Sequence, residues 1–268
     1  MLRKISLYNK PLSLEYESEN VYFGDSRGYI FKTSYPFLSV SKIYDVDSPV
    51  SSLVWYGGKM FYGTWDGEIG ITDFKTKHSI GIVRDLVKSM TVFKNHVFVS
   101  IDHIVYIYNL DLELVDKIET PHKVLCFYSE NDTCLVGMGV PFLGQIKLED
   151  GSFKLHIISR TVHDTSILSI HKDLIGSSDG KITRMGNVTM FSSTGWIRSI
   201  FNGELFSCGK KVISKLSEIY AHEDEVMGVL RIRDKILSIG LDYTLCIFEE
   251  DSLLEDELRE IEELNRLF

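Results

Sequence analysis

The sequence predicts an all-β fold: a closed ring of seven four-stranded blades, a β-propeller, with a short α-helix at its C-terminal end. Three observations predict it. Seven stretches share one design, in which a short apolar segment, a turn, a second apolar segment ending near Gly, Asp or Ser, a tight turn and a third segment follow in order. The clearest copies span residues 50–74 and 226–248. Repeats this short cannot each bury an apolar face alone, so they must stack. The segments are short, alternating and rich in β-branched and aromatic residues, with Gly, Asn, Asp and Lys at the gaps, which is the pattern of antiparallel strands. Finally, the strand count closes: six stretches are followed by a fourth strand, the seventh is not, and one orphan strand stands at the N-terminal end.

The elements follow in chain order. Residues 3–8 form the orphan strand, placed to complete the last blade and leave no free sheet edge. The third strands align on Ile30, Ile69, Val105, Ile146, Ile182, Val212 and Leu245. Three residues earlier stand Arg27, Asp66, Asp102, Leu143, Asp179, Gly209 and Asp242, so the turn acid is kept in four blades and lost in blades one, four and six. Fourth strands are expected at 38–43, 78–84, 113–118, 153–158, 187–191 and 215–219. Residues 137–144, with three glycines and Pro141, read as a long loop in blade four. The propeller thus spans residues 1–248 and a distinct element spans 249–268.

That last element carries nine acids against Arg259 and Arg266, most of the chain's net charge of −9. Ser252 and Glu255 form a capping box. Leu253, Leu254, Leu258, Ile261, Leu264 and Phe268 fall in one stripe about 140° wide on a helical wheel. The stripe must be covered, either by the propeller itself or by a groove on a partner. Its negative charge excludes a basic membrane-surface helix.

Composition excludes several function classes. With 268 residues, 44% hydrophobic and 25% charged, the chain is of ordinary globular type. No apolar run approaches the ~18 residues that cross a bilayer, and the start is not a signal peptide. Cys126, Cys134, Cys208 and Cys246 lie in apolar strands without CxxC spacing, as small buried thiols in a reducing compartment, which places the chain in cytoplasm or nucleus. Outside the acidic tail the body is nearly neutral, which argues against direct nucleic-acid binding. The eight histidines show no HxxxH or HExxH spacing, the glycine-rich segment lacks the Lys-Ser/Thr ending of a phosphate loop, and no GxSxG occurs. Asp66, Asp102, Asp179 and Asp242 recur once per blade, whereas an enzyme gathers its acids in one place. The expectation is therefore no catalysis, no metal, no cofactor and no small-molecule substrate.

These residues resemble the WD-repeat family of β-propellers. Gly63-Thr64-Trp65-Asp66-Gly67 and Ser177-Ser178-Asp179-Gly180 match its turn, and Asp73 keeps its last acid. His222, Ser238 and Asp242 match its His, Ser and Asp positions, with Phe248 where Trp is usual. The resemblance implies that these side chains are joined by hydrogen bonds that pin a blade, with Asp66 and Asp179 in equivalent places and His163 partnering Asp179. It covers residues 1–248, but no repeat ends in Trp-Asp. It also implies that Trp65, Trp196 and Arg198 lie at the top face, where partners dock in the family. Trp and Arg are the residues most enriched at interface hot spots. The reading is a non-catalytic scaffold for other proteins in an intracellular complex, bound through the top face and through Leu254, Leu258, Ile261 and Phe268. An accessory subunit of an RNA-processing or ribosome-assembly complex is the first alternative. An enzyme is the second, and it would need convergent polar side chains in the central channel.

Overall fold

The computed structural model describes residues 2–81, 85–186, 188–214 and 218–249. Of the acidic C-terminal element, Glu249 ends the last strand, and the rest, with the expected helix and Leu254, Leu258, Ile261 and Phe268, lies outside them.

Seven four-stranded antiparallel sheets form a seven-bladed propeller. The innermost strands are Pro11–Glu17, Val50–Tyr56, Val87–Phe93, Val124–Glu130, Ile167–His171, Ile200–Phe201 and Val226–Ile232. Each blade runs outward in chain order, and the last is completed from the other end of the chain: Arg3–Ser6 pairs with Thr244–Glu249, Arg3 opposite Ile247 and Ser6 opposite Thr244. Arg3 also reaches across to the carbonyl of Leu38 in blade one at 2.8 Å.

The core is distributed around the ring. Seven apolar clusters each join two neighbouring blades, and one of them, with Val21 and Phe23 against Leu237 and Ile239, joins the first blade to the last. The aligned third-strand residues, from Ile30 to Leu245, are all buried in these seams. A second device sets the spacing. Val50, Val87, Ile167 and Ile197, which enter the inner strands of blades two, three, five and six, sit on Gly24, Gly63, Gly137 and Gly176 of the preceding blade. A Cβ on any of these glycines would stand 2.3–2.6 Å from the neighbouring blade or its own inner strand.

Several sequence expectations need correcting. The outer strand of blade one is Ser41–Asp45 rather than 38–43, because the preceding residues turn: Phe37 has a φ of 64° and the Thr33 hydroxyl bonds the Ser39 carbonyl. Residues 137–144 are not a long loop. Met138 ends one strand and Phe142 begins the next, so blade four has a short turn and unusually long outer strands, Phe142–Glu149 and Ser152–Arg160. Blade one has not lost its turn acid. Asp25, two residues before the aligned position, accepts the backbone N–H groups of Arg27 and Tyr29 at 2.9 and 2.8 Å and the Asn9 side chain at 2.8 Å.

Candidate functional site

The blade-pinning residues come first, because they hold the rim. In blade seven the buried ring of His222 lies between Asp242, 2.9 Å from Nδ1, and Ser238, 2.8 Å from Nε2. Asp242 also accepts the Glu223 N–H at 2.8 Å and the Thr244 hydroxyl at 2.7 Å. The charge on Asp242 assigns the proton to Nδ1, so Nε2 accepts from Ser238. Burial holds the His222 pKa below its usual value, against the pull of Asp242, and keeps the ring neutral. Gly240 is obligatory here, since a Cβ would stand 2.4 Å from Nδ1.

Blade five repeats the arrangement with a substitution. His163 meets Asp179 at 3.2 Å, but its Nε2 faces the Thr183 hydroxyl at 2.9 Å, while Ser177 bonds Asp179 directly. Burial alone would raise the Asp179 pKa. The Ser177 hydroxyl and the N–H groups of Lys181 and Asp164 outweigh it and draw it down to about 2. In blade two no histidine partners the turn acid, and the Thr64 hydroxyl bonds Asp66 at 2.6 Å. Asp102 departs from the expected turn role: it is exposed, sits at a φ of 49° and pairs with Lys123 of the next blade at 2.7 Å.

The turns between second and third strands, together with the segments entering the inner strands, define the top face. Trp65 is 49% and Trp196 43% exposed there, so neither packs between blades. Trp196 and Arg198 are brought together, the guanidinium lying 4.5 Å from the indole ring centroid. Arg198 donates from Nε and Nη2 to one oxygen of Glu225 in blade seven, at 2.8 and 2.6 Å. A planar cation locked between an aromatic face and a carboxylate has little rotamer freedom left to lose on binding. Trp65, in blade two, is not part of this cluster.

The starts of the inner strands, and in blade six the three residues just before it, carry a pattern that the turn-based reading missed: Pro11-Leu12-Ser13, Val50-Ser51-Ser52, Val87-Lys88-Ser89, Val124-Leu125-Cys126, Ile167-Leu168-Ser169, Ile197-Arg198-Ser199 and Val226-Met227-Gly228. The third position tends to tie the blade to its neighbour. Ser13 donates to the Val50 carbonyl at 3.0 Å, Ser169 to that of Ile197 at 2.9 Å, and the Cys126 thiol faces that of Ile167 at 3.8 Å. The second position faces the channel and forms a ring of Leu12, Ser51, Lys88, Leu125, Leu168, Arg198 and Met227 around a cavity of about 370 Å³. A recurring triplet of an apolar residue, any residue and Ser, kept in five of the seven blades, was visible in the sequence and could have found this ring.

The channel wall thus carries polar groups beside its aliphatic ones. Lys88 and Arg198 share one level, and removal from bulk water, followed by the charge of Arg198, holds the Lys88 pKa below its usual value. Glu15 lies three positions further along its strand, where burial pushes its carboxyl up to about 7 despite bonds from the N–H groups of Tyr16 and Trp55. Among the described residues no group of three His, Cys, Asp or Glu could hold a metal ion, and no helix is long and apolar enough to cross a membrane. Burial raises the Cys126 and Cys134 thiols to about 12 and Cys246 to about 11, which leaves them protonated and unreactive at neutral pH.

No family model matches the chain, and no curated protein matches it. Solved structures do. A chain in the crystal structure of a mitotic checkpoint complex superposes with a TM-score of 0.75 at 13% identity, over 92% of this chain and 93% of that one. The WD40 repeats of RRP9 superpose at 0.73 and 15% identity, over 92% and 97%. U3-55K superposes at 0.71 and 15%, over 92% and 98%. At such identities the likeness is one of architecture, and by that architecture the chain is a seven-bladed β-propeller similar in structure to WD40-repeat proteins.

Proposed function

We propose that the chain is a non-catalytic platform that holds other proteins together in an intracellular complex, cytoplasmic or nuclear, with its top face as the principal docking surface. The observation that carries this reading is the Trp196–Arg198–Glu225 cluster, an exposed aromatic and a pre-ordered cation spanning two blades of a closed ring. Exposed Trp65 adds a second anchor on the same face. The acidic element at 249–268, with Leu254, Leu258, Ile261 and Phe268 on one stripe, supplies a second attachment.

The test is native affinity purification of tagged wild-type chain and of Trp65→Ala and Trp196→Ala, read by mass spectrometry. A partner that docks on the top face should be lost from at least one variant, with affinity lowered by about 2 kcal/mol or more, while the melting temperature holds. Retention of every partner by both variants removes the top face from the proposal. RNase treatment of the same purifications separates the RNA-processing alternative, in which partners leave with the RNA.

A further inference from the structure

The outer edge of blade four differs from the other edges of the ring. Its outer strand, Ser152–Arg160, has nine residues, while among the described residues the other outer strands have two to six. It carries no proline, and every residue from His156 to Arg160 is exposed. No strand lies on its far side, so alternate backbone N–H and carbonyl groups along it face outward. Natural edges are blunted by shortness, proline or strong twist. This one runs regularly from Ser152 to Ile157 and bulges only at Ile158.

The two faces of the strand are unlike. The Phe153 ring packs edge-on against Phe98 of blade three, 5.0 Å between centroids, and Leu155 lies on the same seam. Side chains alternate along a strand, so Ile157 points the same way, and Leu148, opposite Phe153, joins it. Both are 46% exposed, so the apolar seam between blades three and four continues past its buried part to the surface. The outer strand of blade three approaches across this seam and carries exposed Val115. The other face is basic, with Lys154 opposite Lys147 and His156 beyond. Glu149 answers Lys154 and His156, at 3.8 and 2.9 Å. Lys147 and Arg160 have no ion pair with any described residue.

We infer that this edge is a docking site for one extended strand of a partner protein, in which apolar and acidic residues alternate. An exposed edge takes a strand, because a strand satisfies its row of backbone groups. The two faces set the alternation: apolar side chains of the partner cover Leu148 and Ile157, and its carboxylates meet Lys147 and Lys154. A second copy of this edge does not fit the role, since Ser152–Arg160 brings the same cations and no acid. The inference goes beyond the top-face platform, because the edge lies on the outer wall of the ring.

The experiment is selection of a random peptide library, displayed on phage, against the purified full chain. The enriched peptides are then synthesised, labelled and titrated. Sequences that alternate apolar and acidic residues should be enriched. Lys147→Glu combined with Lys154→Glu should weaken their binding about tenfold or more, since like charges then face each other. Ile157→Ser should weaken it about tenfold. These side chains are exposed, so both variants should melt close to wild type, and Lys75→Glu, in a turn of blade two, should bind as wild type. Hydrogen–deuterium exchange is the second readout. Bound peptide should protect alternate amides within Ser152–Arg160, which a ligand held by side chains alone would leave exchanging. Enrichment of basic or helix-patterned peptides, or of none, overturns the site, as does full binding by either edge variant. A wild-type dimer that Ile157→Ser dissociates, seen by analytical ultracentrifugation, gives the edge to a second copy and overturns it too.

Discussion

At the scale of single residues, the pins and the channel acid respond to pH in opposite directions. Asp179 is held at about 2 and Asp242 below its usual value, so each contributes stability above the ordinary carboxylate pKa and loses it as pH falls through the folded value. His163 and His222 are held below their usual value by burial, so their contribution is complete above about pH 6.5 and is lost as pH falls. Glu15 does the reverse. Its folded pKa of about 7 exceeds the unfolded one, so the folded state keeps a proton that the unfolded chain releases, and stability declines between about pH 4.5 and 7. The penalty above that window approaches about 3 kcal/mol. Glu15→Gln should therefore raise the melting temperature at pH 8 and leave it nearly unchanged at pH 4.5. Equal shifts at both values would mean that the carboxyl is solvated in the channel. Asp242→Ala should cost about 1–3 kcal/mol in urea titration, because the Glu223 N–H and the His222 ring lose their acceptor. Combined with Ser238→Ala it should be sub-additive, since both side chains act through one imidazole. Strict additivity would separate them.

At the scale of elements, the last blade depends on a strand from the far end of the chain. Arg3–Ser6 covers the edge of Thr244–Glu249, and Arg3 ties that edge to blade one through Leu38. Deleting residues 2–8 should expose the edge, lower the melting temperature and promote self-association through the unpaired strand. An unchanged melting curve would show that closure contributes little. This element was legible because strand number is a matter of counting, and six complete sets plus one orphan admit few arrangements. The third-strand register was legible for a related reason: Ile30, Ile69 and their equivalents are apolar because each is buried in a seam. Asp25 was not legible. It does by backbone acceptance what Asp66 does with a threonine, from a position two residues earlier, and alignment on position cannot see that exchange. The blade-four turn was misread because glycines mark loops in general, whereas Gly137 is there to admit Ile167 of the next blade. Lys88 and Arg198 hold the second position of a triplet that recurs once per blade, a pattern visible in the sequence, but that these positions line one channel follows only from ring closure.

At the scale of the whole molecule, the seams make the propeller one cooperative body. Every apolar cluster belongs to two blades, so no blade has a core of its own to retain when its neighbour leaves. An open array of repeats can fray from its ends, but a closed ring has none. Gly24→Ala and Gly176→Ala test this at two distant seams. The first places a methyl 2.4 Å from Val50, the second 2.5 Å from Ile197, and neither isoleucine nor valine can withdraw without opening the gap between inner strands. Overpacking of this kind costs about 1–3 kcal/mol per site. The two sites share no partner, so their costs should add within about 0.5 kcal/mol in denaturant titration. The diagnostic is the shape of the transition. If the ring unfolds as one, the single and double variants should each melt in one step, at successively lower temperatures, with the denaturant slope of wild type. If the blades are separable, the double variant should split into two transitions with a shallower slope, because the region between the damaged seams would come apart first while the other side of the ring stayed folded.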